Sequence, residues 1–281
     1  MIGSLTINQL ARRDNLVVQL DASPGTYTAY PFNSGSQSGT SGSILTWSNR
    51  WTDLSGNNNH AYAVKNMGGS AYQVATYDSG GCPLSSSYLA NSIFIDLFSN
   101  ANSSGLRLNP ITESTGPMSL FVWVRPRVDI TGLNGVVVLD KRKQNGDPGG
   151  EPDFAQYGIT WNATNGFATG VYYNANGLTA VQIGNMGGTL SPTTFYNVGF
   201  TLSNNTAGST LTGYLNGVAQ GTITLPGDMI YANKQVIIGR RNPDTSNRAA
   251  MDFSQFLIYN ICLTPQEVWN NYQITKYKHQ A

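Results

Sequence analysis

Short segments in which apolar and polar side chains alternate make up most of this chain. They are rich in Val, Ile, Thr, Phe and Tyr, and Gly, Asn, Pro and Ser separate them. Because successive side chains of a β-strand point to opposite faces of the sheet, a period of two is typical of strands. Residues 15–22, 118–127 and 196–204 are clear examples. The pattern predicts an all-β protein.

Residues 211–225 (LTGYLNGVAQGTITL) predict a β-hairpin. Asn216 and Gly217 tolerate the positive φ of a type I′ turn, whose twist suits antiparallel strands. In the strand at 118–127, Leu120 and Val122 lie on one face and Phe121 on the other. Since both faces are apolar, we expect this strand to be covered on both sides.

One helix is predicted near the end of the chain, at about residues 265–274. Thr264 suits the N-cap, Pro265 the first helical position, and Glu267 completes a capping box. Val268, Trp269 and Tyr272 then form an apolar face that is expected to dock on the sheets.

Composition narrows the possible partners. Charged residues make up 11% of the chain, against about 25% in ordinary soluble proteins. With a formal net charge of +1, the chain has no broad positive potential that would attract nucleic acid or an anionic membrane. The N-terminal residues lack the apolar stretch of a secretory signal peptide, and no segment resembles a membrane helix. We expect synthesis in the cytoplasm, with neither nucleic acid nor a membrane as a partner.

Five segments occur in an order that resembles a known superfamily. They are WTDLSGNNNHA, MSLFVWVRP, FYNVGFTLSN with LTGYLNGVAQG, VIIGRR, and FSQFLIYNICLTPQEV. Over residues 15–275 the chain is similar to the concanavalin-A-like lectin and glucanase superfamily in its laminin-G-like branch, as found in bacteriophage structural proteins. The resemblance implies a jelly-roll β-sandwich of two antiparallel sheets with a short C-terminal helix. Residues 15–281 would form this sandwich, and residues 1–14 an N-terminal arm.

The same resemblance implies a structural role for residues 51–61. In the family, Asp and Asn side chains of this segment bond neighbouring backbone groups. Gly56 would relax the φ restriction, and Trp51 would pack beneath the turn. His60 alone is then neither a metal site nor a general base.

Catalysis is not expected. Glucanases of this superfamily use a Glu-x-Asp-x-Glu strand, in which one carboxylate attacks and another donates a proton. The chain has no such triplet, and the nearest string, residues 151–154 (EPDF), lies in a Gly- and Pro-rich loop. The chain is predicted not to be an enzyme.

Two kinds of binding site stay open. Calcium could use carboxylates at a sandwich rim, with Asp140 and Asp252 as candidate ligands, but no compact ligand pattern occurs and no cofactor is predicted. A sugar could use the aromatic rings of Trp161, Tyr172 and Tyr173. Core packing is the alternative for Trp161, and alternation places Tyr172 and Tyr173 on opposite faces of their strand.

The two cysteines, Cys82 and Cys262, fit no metal spacing. Cys262 lies in the apolar run FLIYNICL, which favours a buried free thiol. Spacing leaves a disulfide between the two cysteines open.

Two functional hypotheses follow. The first is a non-catalytic structural protein of the virion, such as a bacteriophage capsid decoration or tail appendage protein, with other virion proteins as partners. The alternative is a carbohydrate-binding lectin or adhesin that recognises a host cell-surface polysaccharide. Exposed sheet edges favour a homo-oligomer in either case.

Overall fold

The computed structural model describes the strands, the C-terminal helix and several connections. The described residues are 10–21, 27–28, 50–65, 95–96, 104–108, 111, 116–126, 136–143, 154–173, 179–191, 194–229, 236–239 and 251–278. In chain order the elements are β1 (Leu16–Asp21), β2 (Tyr27–Thr28), β3 (Arg50–Trp51), β4 (Ala61–Lys65), β5 (Ile95–Asp96), β6 (Ser104–Leu108), β7 (Met118–Pro126), β8 (Val136–Lys143), β9 (Phe154–Asn162), β10 (Gly166–Tyr173), β11 (Thr179–Gly187), β12 (Tyr196–Leu202), β13 (Thr210–Leu215), β14 (Val218–Thr224), β15 (Val236–Ile238), β16 (Met251–Tyr259) and α1 (Pro265–Thr275).

The strands form two antiparallel sheets. The first sheet has the order β1-β16-β7-β12-β13-β14, with β5 beside β16. The second has the order β11-β10-β9-β8-β15-β6-β4-β3-β2. Their inner faces share one core, to which Leu120, Phe200 and Phe256 contribute from the first sheet and Ile159 and Phe167 from the second. The predicted all-β sandwich of two antiparallel sheets is confirmed.

The outer face of the first sheet is also covered, as the apolar pattern of β7 predicts. Phe121 and Tyr214 meet there edge to face, with ring centroids 6.0 Å apart. Leu263 and Val268 bury their side chains in the same cluster. A second layer of side chains therefore holds α1 against this sheet.

Local turn and cap chemistry follows the predicted forms. Asn216 and Gly217 have φ values of 51° and 77°, as a type I′ turn requires. Both halves of the capping box are present at Thr264 and Glu267. The helix begins at Pro265 as predicted and ends at Thr275.

Residues 10–12, part of the segment that the sequence placed in an arm, pack against the helix. Leu10 is buried in the cluster beneath α1. The backbone N–H of Ala11 donates to Asn271 Oδ1 at 2.8 Å, and Arg12 Nε lies 2.7 Å from Glu267 Oε1. The arm stays a prediction for residues 1–9, which lie outside the described residues.

Candidate functional site

Trp161 lies in the core and not on the surface. It shares the inner face of β9 with Tyr157 and Ile159, because side chains on the same face recur every second residue. Only 1% of its surface is exposed. A sugar that stacks on an aromatic ring needs an exposed ring face, so Trp161 is not the platform suggested from the sequence. Core packing, the alternative weighed for it, describes its surroundings.

Tyr172 and Tyr173 lie near the end of β10, opposite Ala180 and Thr179 of β11. The backbone register places them on opposite faces of the sheet. Their side chains lie outside the described residues, so their role stays a prediction.

The two candidate calcium ligands lie in different sheets. Asp140 is in β8 of the second sheet, opposite Gly158, and is 5% exposed. Asp252 is in β16 of the first sheet, opposite Arg125. Among the described residues, no group of three or more His, Cys, Asp or Glu side chains is placed to hold a metal ion. Calcium binding stays a prediction.

Cys262 is a free cysteine, half-buried after β16. Burial raises the pKa of its thiol, which lowers its nucleophilicity at neutral pH. Cys82 lies outside the described residues.

The loop at residues 51–60 is organised by the carboxylate of Asp53. Its Oδ1 accepts the backbone N–H groups of Gln19 at 2.8 Å and Ser55 at 3.0 Å. Its Oδ2 accepts the N–H of Asn59 at 2.9 Å and the hydroxyl of Ser55 at 2.7 Å. The backbone N–H of Asp53 in turn donates to His60 Nδ1 at 3.0 Å. His60 therefore uses one ring nitrogen to hold the loop.

The same loop covers the outer edge of β1. The side-chain amides of Asn57 and Asn59 donate to the carbonyl of Val17 at 3.3 and 2.8 Å. The N–H of Leu54 donates to the carbonyl of Gln19 at 2.7 Å. These contacts replace those of a further strand. With Trp51 buried and Gly56 at a φ of 95°, the predicted structural turn is confirmed.

An exposed aromatic surface lies on α1 and the 3-10 turn that follows it. It consists of Trp269, Tyr272, Lys276 and Tyr277, and we call it the helix aromatic surface. Trp269 is 40% exposed and Tyr277 63%. The sequence predicted that Trp269 and Tyr272 would both dock on the sheets. Tyr272 does so only in part, and Trp269 keeps much of its ring in solvent.

The rings of Tyr272 and Trp269 are held in place from below. Tyr272 stacks on Trp123 of β7, with centroids 5.7 Å apart and an interplanar angle of 15°. The indole N–H of Trp123 donates to Thr275 Oγ1 at 2.9 Å. Trp269 lies beside Tyr272, with centroids 5.6 Å apart. The stack from β7 to α1 thus fixes the ring orientations before any ligand arrives.

The turn between β13 and β14 forms the floor beneath the rings. A Cβ on Gly217 would lie 2.8 Å from Tyr272 Cβ and 3.1 Å from Trp269 Cε3. Only glycine allows this approach, and the turn also needs its positive φ. Asn216 is fixed in addition, since its Oδ1 accepts the N–H of Asn197 at 3.0 Å.

One cation lies among the rings. Lys276 Nζ is 5.9 Å from the centroid of Tyr272 and 5.4 Å from that of Tyr277, within the range of a cation–π contact. Burial raises the pKa of Tyr272, so its phenol stays neutral. The backbone N–H of Thr264 lowers the pKa of Glu267, and Arg12 lowers it further. The carboxylate of Glu267 is thus paired with the helix cap and with Arg12.

The family follows from this architecture and a direct match. A laminin G-type family model, described as the concanavalin A-like lectin/glucanases superfamily, matches residues 100–269. The chain belongs to this superfamily. The match spans β6 to the first turns of α1 and so includes Trp269.

Solved structures share this lectin-like fold. The binding domain of botulinum neurotoxin serotype D superposes with a TM-score of 0.58 at 14% identity, over 94% of this chain and 52% of that one. The binding domain of botulinum neurotoxin DC, in complex with rat synaptotagmin II, gives 0.57 at 12% identity, over 93% and 52%. The binding domain of Paraclostridial Mosquitocidal Protein 1 gives 0.51 at 19% identity, over 94% and 53%.

This lectin-like chain spans about half the length of those structures. At such identities the likeness concerns the fold. The comparison with curated proteins gives no match. In the part of the chain that the structure describes, no helix is long and apolar enough to cross a membrane.

Proposed function

We propose that this chain is a non-catalytic binding domain that recognises a cell-surface polysaccharide through the helix aromatic surface. The observation that carries the proposal is the solvent exposure of Trp269 and Tyr277 beside Tyr272, whose ring is stacked on Trp123 from below. The solved structures of the same fold are described as binding domains, which supports recognition as the activity.

The chemistry of the surface suits a sugar. The C–H groups on one face of a pyranose ring pack against an aromatic ring, and Trp and Tyr provide such faces at a small cost in side-chain entropy. Sugar hydroxyls need polar partners around the rings. Exposed amides are present on the same helix, where Gln266 Nε2 donates to Asn270 Oδ1 at 2.9 Å.

A glycan-array screen of the purified protein tests this proposal. We expect binding to one glycan class, which Trp269→Ala and Tyr277→Ala each reduce at least tenfold (about 1.4 kcal/mol or more), while Trp269→Phe keeps part of it. Val218→Ala is the matched control. Val218 is also exposed, but it lies opposite the core residue Leu215, so its side chain is on the inner face of the sheet and not on the face that carries α1.

Two results would contradict the proposal. One is no binding to any glycan, and the other is binding that Trp269→Ala leaves unchanged. A repeat with calcium and with a chelator tests the calcium prediction separately. Loss of binding on chelation would support carboxylate ligands such as Asp140 or Asp252, and Asp140→Asn and Asp252→Asn would then be compared.

The virion hypothesis is the second candidate. The observation that favours it is the attachment of residues 10–12 to α1 through Leu10, Ala11 and Arg12. A preceding arm would be tied firmly to the sandwich and could connect it to a bacteriophage capsid or tail. A lectin-like module on a particle could also bind a host glycan, so the two functions are compatible.

Deletion of residues 1–9 tests the anchor. We expect the shortened protein to fold with an unchanged melting temperature and to lose incorporation into particles. A longer deletion, of residues 1–14, should also lower the melting temperature because it removes the contacts of Leu10 and Arg12. Undiminished incorporation of the 1–9 deletion would rule out the anchor.

The absence of catalysis is part of the proposal and has its own test. Carboxylates in a glycoside hydrolase flank the scissile bond as a pair. We expect no release of reducing sugar from β-glucans or from any glycan that the array identifies. Sustained turnover would overturn this part.

A further inference from the structure

β14 forms the last strand of the first sheet and pairs with β13 alone among the described strands. Its sequence, VAQGTIT, has no charged residue and no proline. Most of its side chains are exposed, including those of Thr222 and Thr224. An uncharged edge of this kind is a template for pairing with another strand.

The opposite edge of the same sheet is protected. There the loop at residues 51–60 bonds the backbone of β1 through Asp53, Leu54 and Asn59. Among the described residues, the contrast between the two edges identifies β14 as the edge available to a partner.

The hydrogen-bond pattern shows which backbone groups of β14 point outward. The backbone N–H and C=O of Leu225 both point toward the β13 side, since the N–H donates to Ser209 and the carbonyl accepts from Gly208. In an antiparallel ladder these directions alternate from one residue to the next. The N–H and C=O groups of Thr222 and Thr224 therefore point away from β13.

The stretch available for pairing is short and well defined. The register between β13 and β14 shifts at Gln220, which forms a bulge opposite Gly213 and Tyr214. Pro226 follows Leu225 and prevents the strand from extending. The uninterrupted stretch beyond the bulge is thus residues 221–225, with Ile223 at its centre.

We infer that β14 pairs antiparallel with β14 of a second copy of this chain, about a two-fold axis at Ile223. Thr222 of each copy would face Thr224 of the other, and each such pair would exchange both of its N–H···O bonds. Ile223 would face its own counterpart as a non-hydrogen-bonded pair. A two-fold contact needs a self-complementary surface, and an uncharged strand does not repel its own copy.

The arrangement has a consequence for binding. The two-fold axis of such a ladder is perpendicular to the sheet, so both copies keep their outer faces on the same side. The outer face carries α1, which packs on the turn that leads into β14 through Gly217. Two helix aromatic surfaces would then face one cell surface together, which raises avidity without any new contact. The pairing itself does not depend on the proposed function.

Sedimentation equilibrium over a wide range of protein concentration tests the pairing. We expect a dimer for the wild type and for Thr164→Lys, which adds a lysine at an exposed turn of the second sheet. Thr222→Lys and Thr224→Pro should be monomeric and still folded, with a cooperative thermal transition. Proline at 224 removes only an outward N–H, so the ladder with β13 is kept. A monomeric wild type, or folded edge variants that still dimerise, would overturn the inference.

Disulfide trapping tests the register even if an edge variant is poorly folded. Directly opposed residues of a non-hydrogen-bonded pair have Cβ atoms close enough for a disulfide. With Cys82 and Cys262 replaced by serine, oxidised Ile223→Cys should form a covalent dimer on a non-reducing gel. Thr224→Cys is the matched control, because residue 224 faces residue 222 and not itself. Equal trapping of the two variants, or none in Ile223→Cys, contradicts the proposed register.

Discussion

Asp53 and Gln19 are 34 residues apart in sequence, and the Asp53 carboxylate accepts the backbone N–H of Gln19 at 2.8 Å. Gln19 is in β1 at the edge of the first sheet, where its outward N–H would otherwise have no strand to bond. A carboxylate that accepts several N–H groups is a strong acceptor. One side chain therefore organises a loop and closes a sheet edge together.

Replacement of Asp53 by Asn should destabilise the protein strongly. The amide would direct an N–H₂ group at some of the N–H and O–H donors that the carboxylate now accepts, and these donors would be left unsatisfied. We expect a loss of about 2–4 kcal/mol in the free energy of unfolding, measured by urea denaturation. Asp14→Asn, at an exposed position, should stay within about 0.5 kcal/mol of wild type. A wild-type value for Asp53→Asn would contradict the assigned role.

Trp161 should affect stability and not binding. Truncation to alanine leaves a large cavity between the sheets and should cost about 3–5 kcal/mol. Within the described residues its indole N–H has no hydrogen-bond partner, so Trp161→Phe loses only packing and should cost less. The measurement is denaturant unfolding beside the glycan-array screen. A Trp161 variant that keeps its stability but loses glycan binding would show that Trp161 belongs to the binding site.

Gly217 should be far less tolerant of alanine than Gly208. Both have a positive φ, of 77° and 81°, so alanine costs each about 1–2 kcal/mol of backbone strain. Only Gly217 also has a side chain in the way, since its added Cβ would meet Tyr272, whereas nothing lies within 4 Å at Gly208. We expect the melting temperature to fall clearly further for Gly217→Ala. Equal falls would show that strain alone decides.

Glu267 should make stability depend on pH in the acid range. The pKa of Glu267 is lowered, first by the backbone N–H of Thr264. A lowered pKa in the folded state means that the stabilisation is complete above the unfolded value, about 4.3. It is then lost as pH falls from that value through the folded pKa. Glu267→Gln should remove this part of the slope in unfolding free energy against pH.

The Arg12→Gln variant distinguishes the two causes of the lowered Glu267 pKa. Arg12→Gln removes the ion pair with Glu267 but leaves the bond from the Thr264 N–H. Because the backbone bond is the larger cause, most of the pH dependence should remain in Arg12→Gln. A slope that disappears with Arg12 would assign the low pKa to the ion pair.

Local patterns predicted the elements well. The alternation in β7, the Asn216–Gly217 turn and the capping box at Thr264 each depend on residues close in sequence. The candidate binding residues were predicted less well. Trp161 and Trp269 both lie in partly apolar sequence segments. A strand and a helix each have a buried side and an exposed side, and the local sequence does not show which side each tryptophan occupies.

The sequence by itself determined the all-β class, the Asn216–Gly217 turn and the start of the helix, because these follow from side-chain period, backbone φ and short-range hydrogen bonds. Only the tertiary structure decided that Trp161 faces the core while Trp269 remains in solvent beside Gly217, and that, within the part of the chain that the structure describes, β1 is covered while β14 pairs with β13 alone. The physical reason is that exposure depends on which distant segment packs above a side chain or beside a strand, and residues far apart in the chain make those contacts.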